Sequence, residues 1–365
     1  MELTVKTSVL QDLVAKSIRG VGNNKLLPIT SLMEIDGSDG ILSLRTTDST
    51  NYLTVSSNLD GESNFYAVVE ADTFAKLIGR ITTPDITLTI GENGGSLKIS
   101  GNGNYTLPLP LDENGKTIVF PDIDDVYPAK PNAIIPLFII QTILNSVKSA
   151  ISPTIDVPCY MNYYVGEDCV IATDTAKINA LINQNLVDKP ILISNAMMNL
   201  LGIMSEDKIT MLVGEKTILF DSFNCSVCGY IPEGINDFQI DVIKNLIDAK
   251  FEHVISVSKQ ELLQTLDRLS LFVDPYDQNG VDILIEEWGM EKTMHISSMS
   301  SDASDPVEIL EYDNFENFTA KINVFDFLGQ VKSLALDRVE LWYGPGNAIK
   351  LTDGNVVHII ALITE

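Results

Sequence analysis

The sequence predicts an α+β protein made of three similar tandem domains, each with two helices packed on antiparallel sheets. The first observation is an internal repeat, because the pattern apolar–Gln–polar–apolar recurs at Leu10, Ile140 and Leu263. The second is a strand that ends in Thr-Asp at Thr47 and again at Thr173. The third is that every third of the chain combines amphipathic helices with alternating strands. A period this long does not fit a solenoid, so it indicates tandem domains.

Each third is expected to begin with an amphipathic helix and to carry a second helix after several strands. The first helix is predicted from Ser8 to about Gly22, with apolar residues three and four apart. The last third opens with Ser258 and Glu261, the pair of a capping box. The six predicted helices begin near Ser8, Ala71, Pro136, Ser194, Ser258 and Asn323. Strands are predicted around residues 41–46, 86–90, 97–99 and 225–230.

The acidic segment 120–128, which is rich in proline, marks the first domain boundary. We therefore predict domains at 1–125, 126–247 and 248–365. The chain has 365 residues, of which 45% are hydrophobic, so each domain can bury its own core. The N-terminus has no signal-peptide layout and no apolar run reaches the ~18–20 residues that span a bilayer. These features predict a cytoplasmic protein.

The net charge of −26 argues against nonspecific binding of nucleic acid by the outer surface, but it allows a local basic surface. Basic residues do recur on the predicted outward faces of the helices. They could equally be ordinary solvated positions. The set consists of Lys16, Arg19, Lys76, Arg80, Lys148, Arg268 and Lys332.

The sequence offers no credible catalytic site and no evident need for a cofactor or metal. Cys225 and Cys228 form a CxxC, but they lie in a predicted strand and have no second ligand pair nearby. The histidines His253, His295 and His358 form no metal-binding motif. We therefore predict a protein that is not an enzyme.

Several segments together resemble one known family, the bacterial DNA polymerase III beta subunit, or beta sliding clamp. The first is the strand 42–48, Leu-Ser-Leu-Arg-Thr-Thr-Asp, and the second is the Ala-Thr-Asp segment 172–174. The others are the segment 306–310 in the last third and the apolar C-terminal strand 356–363. Their order and spacing are similar to those of the family over the whole chain.

This resemblance implies a head-to-tail homodimer, in which each chain forms half of a ring around duplex DNA. The helices of such a ring line its hole, so the seven basic residues above become the expected DNA-binding residues. Phosphate contacts alone give binding that is independent of sequence and permits sliding. The implied function is to tether a replicative DNA polymerase for processive synthesis.

The resemblance also implies a pocket for short peptide motifs of the polymerase and the clamp loader. The chain departs from the family at two positions, where Asn236 and Ala361 replace a usual proline and methionine, so its peptide preference is expected to differ. Deleting the last seven residues is expected to abolish polymerase binding and to keep the fold. The expected walls are Met161, Thr173, Ile178, Val242, Ile359, Ala361 and Ile363.

The ring contact of the family joins the first domain of one subunit to the third domain of the other. Family arginines in the first domain are replaced by Asn102 and Asn104, while Asp302 and Asp305 remain on the opposite side. We therefore expect a weaker dimer. The apolar residues expected in the interface are Tyr105 and Leu107 on one side, and Leu271 and Phe272 on the other.

An alternative from a different functional class also fits the sequence. The chain could be an acidic adaptor or inhibitor that has the clamp fold, binds replication proteins and never encircles DNA. The missing first-domain arginines favour this alternative, whereas the basic helix faces favour the clamp.

Overall fold

The computed structural model confirms an α+β protein with antiparallel sheets. Seven α-helices and twenty-four strands lie in the part of the chain that the structure describes. None of the helices found there is long and apolar enough to cross a membrane. The described residues are 1–61, 63–91, 94–123, 125–288, 291–298, 302–344 and 346–364.

One compact unit comprises residues 1–140 and 196–231. It holds a four-stranded sheet with the order β1-β6-β7-β8 and an eight-stranded sheet with the order β5-β2-β3-β4-β16-β15-β14-β9. Its first nine strands are β1 Glu2–Lys6, β2 Leu32–Ser38, β3 Ile41–Thr47, β4 Asn51–Asn58, β5 Phe65–Glu70, β6 Asp85–Ile90, β7 Ser96–Ser100, β8 Asn104–Pro108 and β9 Ala133–Pro136. The other three are β14 Lys208–Val213, β15 Thr217–Asp221 and β16 Cys225–Tyr230.

The second compact unit comprises residues 141–195 and 232–365. Its twelve strands follow the order β13-β10-β11-β12-β24-β23-β22-β17-β20-β19-β18-β21. The first four are β10 Asn162–Val165, β11 Cys169–Thr173, β12 Lys177–Ile182 and β13 Ile191–Ser194. The rest are β17 His253–Ser258, β18 Gly280–Trp288, β19 Glu291–Ser298, β20 Ala303–Asp313, β21 Phe318–Asn323, β22 Arg338–Tyr343, β23 Ala348–Asp353 and β24 Val356–Ala361.

Six of the seven α-helices in the described residues begin close to the predicted positions and α5 was not predicted, while each third starts with a strand and not with a helix. β1, β9 and β17 precede the first helices, so that part of the prediction is wrong. In β1, Leu3 and Val5 point inward between exposed residues, which is the period of a half-buried strand. The helices are α1 Thr7–Ser17, α2 Ala71–Ile78, α3 Leu137–Thr142, α4 Asn195–Leu201, α5 Ile240–Ile247, α6 Lys259–Leu269 and α7 Val324–Ser333.

Local side chains explain several helix starts. The Ser258 hydroxyl accepts a hydrogen bond from the Glu261 N–H, as the predicted capping box requires. Asn323 caps α7 in the same way through the Phe325 and Asp326 N–H groups. α1 begins one residue before Ser8 and has no side-chain cap, since the chain enters it directly from β1.

The repeat that predicted tandem domains is visible in two turns, after Thr47 and after Thr173, which have the same hydrogen bonds. In both copies the threonine hydroxyl donates to a carbonyl four residues on, from Thr47 to Asn51 and from Thr173 to Lys177. The aspartate that follows accepts backbone N–H groups two and three residues further on, at both Asp48 and Asp174. The same side chains therefore close equivalent strands in the two units.

Two aspartates of the acidic boundary segment, Asp122 and Asp125, are anchored to the eight-stranded sheet of the first unit. Arg45 pairs with Glu34 at 2.7 Å, binds Asp122 and lies over the Phe120 ring. Further on, the Asp125 carboxylate accepts hydrogen bonds from Thr217, whose N–H and hydroxyl hold the pKa of that carboxyl well below its usual range.

Candidate functional site

A single row of paired residues crosses the sheet of the second unit and contains three of the predicted pocket residues. Thr173 pairs with Ile178, and Ile178 pairs with Ile359. The row continues through Lys350 to Trp342 on the next strands. Residues paired directly across antiparallel strands point to the same face, so these five side chains share one face. The structure thus brings Thr173, Ile178 and Ile359 together.

Helix α5 packs on this face and forms one side of it. Ile243 and Ile247 of α5 belong to one buried cluster with Ile178 and Ile359. Ala361 lies two residues beyond Ile359 on the same strand, so it points to the same face and is exposed. Val242 is the only residue of this helix among the predicted pocket residues, because α5 itself was not predicted.

An open cavity of about 600 Å³ lies beside the N-terminal end of α5. Val242, which is 54% exposed, and Asn236 both line it. Its floor is aromatic, since Phe238 stacks on Tyr164 with ring centroids 5.0 Å apart. A cavity of this size, with apolar residues and a few polar ones in its walls, can take the side chains of a short peptide. Thr173, Ile178 and Ile359 are not among its lining residues.

The remaining predicted pocket residues lie at the margins of this face. Met161 is 36% exposed and follows Cys159 and Tyr160, which belong to the cluster under α5. Ile363 lies beyond β24, where its N–H donates to the Lys321 carbonyl at 2.8 Å. Met161 therefore directly precedes β10 and Ile363 follows the end of β24.

The position of β24 argues against the expectation that the last seven residues can be removed without loss of the fold. β24 lies between β12 and β23 and pairs with both. Its residues Ile359 and Ile360 are 3% and 1% exposed. A deletion from residue 359 would remove half of this central strand, so its effect on partner binding could not be separated from unfolding.

An ion-pair cluster lies beside the turn between β11 and β12, on the opposite face of the sheet, because Lys177 precedes Ile178 in β12 and pairs with Ile360. The Lys177 ammonium binds Asp174, in the turn after β11, and Asp326 of α7 at 2.7 Å. Lys177 and Asp174 each expose only 13% of their side chains. Partial burial strengthens such pairs, so this cluster fixes the turn next to Thr173.

The predicted DNA-binding residues of the first unit are exposed or half-buried and lie in or directly after its helices. Lys16 of α1 pairs with Asp12 at 2.7 Å, and Lys76 of α2 pairs with an aspartate one turn earlier. Arg19 and Arg80 are exposed and have no ion pair within the described residues. Because α1 contacts α2, the four cations lie in or directly after two adjacent helices.

In the second unit, Lys148 and Lys332 are exposed, whereas Arg268 forms an ion pair with an acidic residue of its own chain. Arg268 pairs with Asp305 at 2.7 Å and also donates to Thr265. Asp305, expected to face the other subunit, therefore already has a cation in its own chain. Lys332 lies on α7, which contacts both α6 and the short helical turn that carries Lys148.

The predicted interface residues lie on strands or turns with free surface. β8 is an edge strand that pairs only with β7 among the described residues, and it carries Tyr105 and Leu107. Tyr105 is 38% exposed. Leu271 and Phe272 form a turn after α6 and are 80% and 46% exposed. An exposed edge with apolar side chains is typical of a strand that pairs with another chain.

The cysteines and histidines singled out in the sequence lie in strands of the structure. The described residues contain no group of three or more His, Cys, Asp or Glu side chains that could hold a metal ion. Cys225 and Cys228 lie in β16, as predicted, and burial raises the pKa of both thiols. His358 is fully buried in β24, where burial lowers its pKa to about 4.

Comparison with known proteins supports both the fold and the resemblance. Residues 1–114 match the family model for the N-terminal domain of the DNA polymerase III beta subunit. No curated protein sequence matches the chain.

Solved structures match over the full length. The beta subunit of Streptococcus pyogenes has a TM-score of 0.87 at 15% identity, covering 100% of both chains. The beta chain of Streptococcus pneumoniae has a TM-score of 0.85 at 16% identity, again covering 100% of both chains. The DNA polymerase sliding clamp of Bacillus subtilis has a TM-score of 0.85 at 17% identity, covering 100% of this chain and 99% of that one. The chain therefore has the fold of the bacterial beta clamps throughout.

Proposed function

We propose that this chain, which has the fold of the bacterial DNA polymerase III beta subunit and resembles that family over its length, is a DNA sliding clamp. It would act as a ring-shaped homodimer of three tandem domains per subunit, 1–125, 126–247 and 248–365. It would encircle duplex DNA and tether a polymerase, without catalysing a reaction itself. The observation that carries this proposal is the repeated way in which its strands are joined.

The described strands form six groups of four. Two pairs of these groups are joined by the same kind of antiparallel strand pairing. The group β5-β2-β3-β4 joins the group β9-β14-β15-β16 through β4 and β16, which pair antiparallel. The group β13-β10-β11-β12 joins the group β17-β22-β23-β24 through β12 and β24. Each junction therefore joins the last strand of one group to the last strand of another.

These two junctions use the last strands of four groups, so the last strands of the other two groups, β8 and β20, remain. β20 closes the group β21-β18-β19-β20, and β8 closes the group β1-β6-β7-β8. The first half of β20 pairs with β19 and has a free edge among the described residues. β20 of one copy would accept β8 of a second copy, and a second such contact would close the dimer. This head-to-tail pairing supports the ring.

The charge distribution supports DNA as the occupant of that ring. A chain with a net charge of −26 repels DNA over most of its surface. Arg19, Arg80, Lys148 and Lys332 are exposed on helical elements or, for Arg80, in the turn after α2, and they have no ion pair in the described part of the chain. They are free to neutralise phosphates, whereas Lys16, Lys76 and Arg268 would first have to break their ion pairs with aspartates of the same chain. The four unpaired cations would therefore carry most of the contact.

The face under α5 supports the binding of partner peptides. Ile178, Ile359 and Ala361 form an apolar strip beside Val242 and the 600 Å³ cavity. Short motifs with apolar anchors from a DNA polymerase or a clamp loader would bind there. Ala361 is smaller than a methionine and leaves more room at one end of the strip, so the preferred anchor there would be larger.

The decisive experiment reverses charge on the free cations. We expect Arg19→Glu with Lys148→Glu to abolish retention on nicked circular DNA, because two phosphate contacts per subunit become repulsive. The matched control reverses Lys208 and Lys216, which are exposed but lie in or beside β14 and β15. Equal retention of both variants and the unaltered protein would remove these residues from the DNA surface.

A second candidate function, an adaptor that does not encircle DNA, is favoured by the edge of the first domain. Asn102 is satisfied within its own chain, accepting from the Thr82 N–H at 2.6 Å and donating to its hydroxyl at 2.8 Å. Asn104 accepts from Ser100. These residues therefore provide no charge to pair across a dimer contact, and Asp305 is already paired with Arg268. A chain that stays monomeric and still binds polymerase peptides would be this adaptor.

A further inference from the structure

A second cavity, separate from the apolar strip under α5, lies beside the segment that follows that helix. It has a volume of about 490 Å³ and is walled by Phe251, Trp342, Lys350 and Thr352. Exposed Lys250 and Glu252 lie at its rim. Its size is within the range of cavities that bind small ligands or single peptide side chains.

Two aromatic rings give this cavity its apolar surface. Trp342 and Phe251 are both half-buried, so each presents part of its ring to the cavity and packs the rest against the protein. The Trp342 indole N–H donates to the Thr352 hydroxyl at 3.2 Å, which fixes the ring along the wall. A fixed ring loses little entropy when another ring packs on it, so the cavity is preorganised for an aromatic group.

Lys350 gives the cavity an incompletely neutralised cation. Its ammonium donates to the Ile247 carbonyl at 3.0 Å and lies 5.9 Å from the centre of the Phe251 ring. It forms no salt bridge among the described residues, although Asp248 acts on it from a distance. Burial lowers the pKa of this amine, which shows that its charge is poorly solvated. An anion that entered the cavity would offset the free-energy cost of keeping this charged ammonium partly buried.

We propose that this cavity binds an aromatic side chain next to a carboxylate, presented by a peptide segment of a partner protein. The ring would pack between Trp342 and Phe251, and the carboxylate would pair with Lys350. A peptide source fits the position, since Lys350 is paired with Ile359 of the apolar strip and lies one strand spacing, about 5 Å, from it. Glu252 at the rim would disfavour a second acidic residue. The site does not depend on ring formation or on DNA.

Fluorescence of Trp342 measures this binding directly. The chain has two tryptophans, so Trp288→Phe leaves Trp342 as the only indole. The probes are three capped hexapeptides that differ at two positions, containing Phe-Asp, Phe-Asn or Ala-Asp in the same neutral sequence. We expect a saturable change with Phe-Asp at a Kd of about 1 mM, and binding about tenfold weaker for each of the other two.

The cation is tested with Lys350→Met, which keeps the length of the side chain. We expect the Phe-Asp peptide to bind about tenfold more weakly to this variant and unchanged to the control Lys208→Met, which changes an exposed lysine of β14. Equal affinities for Phe-Asp and Phe-Asn, or no saturable change with any peptide, would overturn the proposal. The peptide comparison uses a chain with Lys350 intact, so it decides the question even where Lys350→Met fails to fold.

Discussion

The free energy of unfolding should decrease as the pH is lowered, because one buried histidine, His358 of β24, resists protonation in the folded chain. Its side chain is 0% exposed, its Nδ1 has no hydrogen-bond partner among the described residues and its Nε2 lies 3.5 Å from the Ser333 hydroxyl. The buried atoms Asn179 Oδ1 and Gln330 Nε2 are also without partners. A proton added to His358 would therefore put a charge into a buried region with little to solvate it.

The magnitude follows from the pKa of His358, which burial lowers from 6.5 to about 4, against a smaller opposing effect of Asp353. Above pH 6.5 the imidazole is neutral in the folded and unfolded chains, so it costs nothing. As the pH falls from 6.5 to 4, only the unfolded chain binds the proton, and stability is lost. At ~1.36 kcal/mol per pKa unit, the loss reaches about 2 kcal/mol at pH 5 and about 3 kcal/mol below pH 4.

The assay is urea unfolding of the chain and of His358→Leu and His358→Gln, each at pH 7.5 and pH 5. Both variants lack the titrating group but differ in packing and polarity. We expect each to lose about 2 kcal/mol less than the unaltered chain between the two pH values. If the unaltered chain and both variants lose the same free energy of unfolding, His358 does not stay neutral in the folded state and the reasoning fails.

Three further predictions concern the interface, the tail and a strained turn. Tyr105→Glu should weaken self-association by at least about tenfold in sedimentation equilibrium, because it places a charge on the β8 edge; an unchanged dissociation constant would exclude that edge. Removing residues 362–365 should keep the circular dichroism of the intact chain, whereas removing 359–365 should abolish it; folding of the longer deletion would contradict the central place of β24. Thr175→Gly should raise the free energy of unfolding by about 1 kcal/mol, since Thr175 has a φ of 77°. A destabilised glycine variant would mean that the turn is not strained.

The sequence was sufficient for the class of fold because two kinds of signal agreed. The repeat gave the order of the elements, and the turns at Thr47 and Thr173 proved to have the same hydrogen bonds. Short strands were harder to predict, since β1 and β9 have only a few alternating residues before a stronger helical pattern begins. α5 was missed because its eight residues carry no cap and follow a turn that is poor in regular pattern.

The candidate site could be predicted only in part. The apolar residues of β12 and β24 were assigned by resemblance, and their register shows that they share a face. No local pattern could reveal that Lys350 and Trp342 continue the same row, because strand pairing depends on residues distant in the chain. Nor could it reveal that Arg268 would pair with Asp305 and thereby leave both groups less available to DNA or a second subunit.

The central claim is that two copies close around DNA, and retention on DNA of defined topology tests it most directly. The protein is bound to nicked circles, passed through a sizing column in high salt, and measured again after the circles are cut once. A clamp remains on the circles and is lost after linearisation, because its link to DNA is topological. A protein that leaves circles and linear DNA equally, or that sediments as a monomer at every concentration, would contradict the clamp and favour the adaptor.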